Sequence, residues 1–125
     1  MNGLKPIYIQ IAEWLENEIL NEHFETDGKV FSQYKLAELF NINPATAAKG
    51  LNLLSDDGIL YTRRGLGKFV TADAKKMILN KRKNETLQAM VTELVQEATR
   101  LGVGQEELIH MIELAHKGGQ QNERN

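Results

Sequence analysis

FSQYKLAELFNINPATAAKGLNLLSDDGILY, residues 31–61, reads as two short helices about a tight turn, with a strand beginning at the end. Ser32 suits the cap of a helix N-terminus, and QYKLAELF after it predicts a helix with Leu36, Ala37, Leu39 and Phe40 on its inner side. Asn41-Ile42-Asn43 is a brief turn. Asn43 is a second cap, and Pro44 fits the first helical position, where a missing N–H costs nothing. Ala47, Leu51 and Leu54 form the buried stripe of the helix that follows, and Gly58 marks its stop.

On the N-terminal side, Pro6 opens another helix. Ile7, Ile11, Leu15 and Ile19 recur every four residues, with Ala12 beside them, and the period holds to about Glu22. Residues 23–31 break it, with a turn signal at Asp27-Gly28. On the C-terminal side, ILYTRR and KFVT predict two strands flanking the glycine tip Gly65-Leu66-Gly67. The fold class is therefore mainly α with a small β-hairpin: a winged helix-turn-helix domain over residues 1–72. A two-helix region is expected over 73–117 and a mobile tail over 118–125.

In that second region the pattern is helical from about Ala74 to Leu101. Leu87, Val91, Leu94, Ala98 and Leu101 are spaced 4-3-4-3, the signature of a helix packing on a helix. Gly102 and Gly104 interrupt it, and QEELIHMIELAH continues with Leu108, Ile112 and Ala115 on one stripe. So small a winged domain cannot cover both stripes. A second copy of the chain is the expected cover, with Leu87, Val91, Leu94, Ala98, Leu101, Leu108 and Ile112 as dimerisation residues. A helical pair folded back on its own domain is the alternative.

Composition narrows the function. The chain of 125 residues is 42% hydrophobic and has no cysteine, which excludes disulfides and thiolate metal sites. No apolar run approaches a membrane span and MNGLKPIYIQ has no apolar leader, so the expectation is a cytoplasmic protein with no membrane partner. The net charge of −2 is unevenly spread: residues 1–28 carry −5, residues 29–71 carry +3, and residues 72–125 balance. A basic segment confined to the helix-turn-helix and hairpin suits a groove-binding face.

Within that segment Asn43, Ala45, Thr46, Lys49 and Asn52 should point away from the Leu51/Leu54 stripe. Small and polar side chains there let a helix approach the floor of a major groove. Thr46 can bond a base or a phosphate, and Lys49 a guanine edge or a phosphate. Arg63 and Arg64 before the glycine tip, and Lys68 after it, suit a narrow minor groove or its phosphates. The bland counterparts are a solvated helix face and a charged hairpin that resists edge pairing. His23, His110 and His116 do not share a helix face and make no metal site, and no cofactor is expected. No nucleophile–base arrangement or nucleotide-binding glycine loop is present, so no enzyme activity is expected.

Together PIYIQIAEWL, the 31–61 stretch and the wing RRGLGKFV resemble the GntR family of bacterial regulators, over about residues 4–71. The NPAT…K recognition helix resembles its YtrA subfamily. The resemblance implies a DNA interface of Ser32, Gln33, Tyr34 and Lys35 at the start of the second helix, Asn43, Pro44, Ala45, Thr46 and Lys49 on the third, and Arg63, Arg64, Gly65, Gly67 and Lys68 in the wing. The wider family has arginine where Tyr34, Pro44 and Ala48 stand, and a proline just before Ser32. Recognition here must therefore lean on Thr46, Lys49 and the wing. The function implied is a regulator, of repressor type, that binds an inverted repeat in double-stranded DNA as a homodimer near genes for ATP-driven transporters. A small-molecule effector is left open. The alternative is a winged-helix module that binds another protein and no specific DNA.

Overall fold

The computed structural model describes residues 5–124. Residues 1–4 and Asn125, which the expected outer domains include, lie outside the described residues. Pro6 precedes α1 (Ile7–Leu20), Ser32 caps α2 (Gln33–Phe40), and Asn43 caps α3 (Pro44–Asp56). The hairpin follows as β1 (Leu60–Arg63) and β2 (Gly67–Val70), antiparallel, with Leu60 opposite Val70 and Arg63 opposite Gly67. Next come α4 (Ala74–Lys81), a π-helical stretch (Arg82–Leu87), α5 (Gln88–Arg100) and α6 (Gln105–Arg124). The helix expected over Ala74–Leu101 is thus interrupted by the π-helical stretch. The tail expected to be mobile from residue 118 continues α6 as far as Arg124.

The chain divides after Arg82 into two compact units. The first is built on one apolar core. Ile11, Leu15 and Ile19 of α1 meet Leu36 of α2, Ala47, Leu51 and Leu54 of α3, Ile59, and Val70 of the hairpin. Ala74 and Ile78 of α4 join the same core, so this helix belongs to the winged unit although it lies past residue 72. Trp14 packs edge-on to Phe40 at 5.0 Å and Phe31 edge-on to Phe24 at 5.1 Å, closing the side of the core. Two expected core positions are exposed, Ile7 and Leu39. Ile7 starts α1 and is 47% exposed. Leu39 lies about 200° around the helix from Ala37 at 100° per residue, on the far side of an eight-residue helix that buries only Leu36 and Ala37.

Glycine is required where α1 crosses α3. A Cβ on Gly50 would stand 2.8 Å from the Tyr8 carbonyl oxygen, so the two backbones can approach only without a side chain there.

One buried charge sits in this unit. Glu16 is 1% exposed, the one buried charged residue among those described. Its Oε2 accepts from Lys81 Nζ at 3.0 Å and its Oε1 from Arg82 Nη2 at 3.1 Å. Lys81 also donates to Asp57 at 2.8 Å, beyond the end of α3, and Arg82 to the Asn17 side chain at 2.8 Å. Burial alone would lower the Lys81 pKa. Hydrogen bonds to Asp57 and Glu16, with their charge, outweigh it and hold the ammonium above its ordinary range. The cluster ties the end of α4 to α1 and to the end of α3.

In the second unit Ala98 is buried, whereas Leu87, Met90, Val91, Leu94, Val95 and Leu101 are exposed. On α6, Ile109, Met111, Ile112 and Leu114 are exposed and Leu108 is half-buried.

Candidate nucleic-acid interface

Local chemistry positions each element of the basic segment. The Ser32 hydroxyl accepts from the Lys35 backbone N–H at 3.1 Å, and Asn43 Oδ1 from the Ala45 N–H at 2.8 Å. Both side chains act as helix caps and satisfy donors that would otherwise lack partners. Between the helices Asn41 adopts a left-handed φ of 54°, which asparagine tolerates better than most residues. The turn it makes sets α3 across α2.

The outer stripe of α3 is Ala45, Lys49, Asn52 and Asp56, with Ala48 at its edge and Thr46 half-buried at its flank. These residues, except Thr46, line an open depression of about 540 Å³ together with Tyr8 of α1, Gln33 of α2 and Leu53. Lys49 Nζ stands 4.1 Å from the centroid of the Tyr8 ring. Tyr34 and Lys35 are exposed at the start of α2, on its first turn beside Gln33.

The wing is a braced device. The Leu66 N–H donates to the Arg63 carbonyl at 2.9 Å, closing the tip. Gly65 takes φ +77°, which only glycine adopts at little cost, and nothing lies near its missing Cβ. The Arg63 guanidinium lies over Phe69 at 4.7 Å and donates to the Tyr61 hydroxyl at 3.1 Å. That hydroxyl donates to Asp27 at 2.7 Å, and this bond foremost holds the Tyr61 pKa above its ordinary value. Lys68 donates to Ser55 at 2.8 Å and to Thr62 at 3.0 Å, fastening the wing to the end of α3. Arg64 is exposed and has no partner among the described residues. The wing's three cations thus differ: two brace the hairpin and one is free. Sequence alone gave Arg63, Arg64 and Lys68 equal standing.

Other features escaped sequence reasoning. Residues 28–30 run along β2 as a third extended segment: the Val30 N–H donates to the Lys68 carbonyl at 3.0 Å and the Val70 N–H to the Gly28 carbonyl at 3.0 Å. Tyr8, whose ring lies 4.1 Å from Lys49 Nζ, is another. Its only signal was an aromatic ring one position off the Ile7/Ile11 stripe.

No described helix is long and apolar enough to cross a membrane, and no group of three His, Cys, Asp or Glu among the described residues could hold a metal ion.

Three helices with a capped tight turn between the second and third, followed by a hairpin fastened to the third, define a winged helix-turn-helix domain. No protein-family model matches the chain. It is 30% identical to the HTH-type transcriptional repressor YtrA of Bacillus subtilis, over 94% of this chain and 92% of the relative. A putative GntR-family transcriptional regulator from Bacteroides thetaiotaomicron superposes with a TM-score of 0.75 at 27% identity, over 91% of this chain and 99% of that one. S. agalactiae BusR, in complex with its busAB-promotor DNA, matches with a TM-score of 0.60 at 26% identity, over 96% of this chain and 58% of that one. The chain belongs to the GntR family of winged helix-turn-helix transcription regulators, with YtrA among its relatives. These relatives are regulators and not enzymes.

Proposed function

We propose that the chain is a cytoplasmic repressor that binds an inverted-repeat operator in double-stranded DNA as a homodimer. The observation that carries the reading is the outer stripe of α3, small at Ala45 and Ala48 and polar at Lys49 and Asn52, flanked by the unpaired Arg64 of a braced wing. In this reading α3 enters the major groove, the first turn of α2 (Gln33, Tyr34, Lys35) meets phosphates, and Arg64 meets the adjacent minor groove or its backbone. The winged domain reads DNA, and the region from Leu87 onward pairs with a second copy through Leu87, Val91, Leu94, Leu101, Leu108 and Ile112. Ala98 is already buried within one chain. The target genes implied by the family resemblance are those of ATP-driven transporters.

The test is a titration of duplex DNA carrying the promoter of the protein's own operon against random duplex at moderate salt. Preference for the promoter is expected; equal affinity for both would overturn the proposal. Lys49→Ala is expected to cost about 1–3 kcal/mol of discrimination at one position of each half-site, read from binding to single-base variants of the operator. The wing cations should separate in salt titrations. Arg64→Ala is expected to reduce the slope of log K against log salt by about one unit per site. Arg63→Ala should instead lower the melting temperature, because its loss removes a contact to Phe69 worth about 0.5–1 kcal/mol. A slope change from Arg63→Ala as large as that from Arg64→Ala would contradict the division.

A further inference from the structure

A lysine on an exposed helix face turns about four side-chain bonds and loses that freedom when it must point at one base edge. Lys49 is not left to wander. Its Nζ lies 4.1 Å from the centroid of the Tyr8 ring, which is cation–π range. The ring is delivered by the first turn of α1, which reaches α3 because residue 50 has no side chain to hold it off. Tyr8 is half-buried, and its hydroxyl has no hydrogen-bond partner among the described residues. Asp56 lines the same depression, yet no described carboxylate forms an ion pair with Lys49.

We infer that Tyr8 is a positioning residue for sequence reading, whose aromatic face holds the Lys49 ammonium on the DNA-facing side of α3. The inference rests on the proposed function and assigns α1 a part in recognition. An aromatic face suits the task better than a carboxylate would. It restrains the cation without neutralising it, so the charge stays available to a guanine O6/N7 edge or a phosphate. A carboxylate at this place would pair with the lysine and repel the DNA backbone.

The experiment is a double-mutant cycle on the full chain, with Tyr8→Leu and Lys49→Ala alone and together, and with Tyr8→Phe as the ring-retaining variant. The readout is the ratio of operator to random-duplex affinity. Tyr8→Leu is expected to lower that ratio about three- to five-fold, the size of a surface cation–π contact, with the salt slope unchanged. Tyr8→Phe should restore the ratio, and Tyr8→Leu should have no further effect once Lys49 is alanine. An equal loss in the Lys49→Ala background, or a loss with Tyr8→Phe, would overturn the inference and leave the proposed function standing. A wild-type chain that does not prefer the operator would overturn both. Because Tyr8→Leu sits beside the α1–α3 crossing and can fail to fold, the ε-methylene protons of Lys49 give a second readout in the free protein. An upfield ring-current shift in the wild type, retained in Tyr8→Phe, is expected, and its absence would overturn the inference without any DNA.

Discussion

Replacing Lys81 and Arg82 together by methionine is expected to destabilise the winged unit by about 3–5 kcal/mol, the usual cost of leaving a buried charge without its partners. The carboxylate of Glu16 is 1% exposed and accepts from both residues. With both cations gone it must stay charged in an apolar surrounding or take up a proton, and either costs free energy. Lys81→Met alone should cost less, since Arg82 still reaches Glu16 Oε1 and the Asp57 freed by the change is partly solvated. Adding Glu16→Leu to the double variant should recover most of the loss, because a well-packed apolar side chain substitutes for a buried ion pair at little net cost. Urea unfolding monitored at Trp14 measures all three. A double variant within about 1 kcal/mol of the wild type would show that the cluster is not the fastening it is taken for, since a surface pair is worth no more.

The second large effect concerns assembly. Val91→Glu with Leu94→Glu is expected to give monomers in sedimentation at micromolar concentration. It should also lower operator affinity by about 100-fold or more, the gain that linking two binding modules ordinarily supplies. Val91 is 49% and Leu94 42% exposed in the single chain, and burying the part still exposed is worth about 1 kcal/mol each, roughly half of what full burial gives. Two carboxylates per chain at a seam between copies would have to be desolvated against each other. The winged unit contains neither position, so its melting temperature should hold. A variant that stays dimeric would place the dimer seam elsewhere.

How legible these features were follows the range of the interactions. The caps at Ser32 and Asn43, the proline at the start of α3 and the glycine hairpin tip are chemistry within a few residues, and all stood in the sequence. So did the core stripes of α1 and α3, because a helix repeats its inner face. Leu39 departs from its expected inner position because α2 is too short for periodicity to separate its inner and outer faces. The π-helical stretch at Arg82–Leu87 leaves no break in hydrophobic spacing, so the pattern predicts a continuous helix through it. Glu16 could not be singled out from the other acids of α1, since its partners lie 65 and 66 residues away. The same holds for Lys49 and Tyr8, and for the 28–30 segment, which is too short to show strand alternation. What the structure adds to the candidate interface is therefore the relation between elements: which wing cations are paired among the described residues, and which ring lies against Lys49.

In the proposed reading, α3 and the wing of two paired copies read a specific sequence. Selection of bound duplexes from a random DNA pool by the full chain tests it most directly. Enrichment of an inverted repeat is expected, with half-site centres about 34–36 Å apart, one helical turn, or a multiple of it. Loss of base preference at one position of each half-site is predicted when the selection is repeated with Lys49→Ala. A pool that emerges without an enriched motif, or with the same motif for wild type and Lys49→Ala, would contradict it.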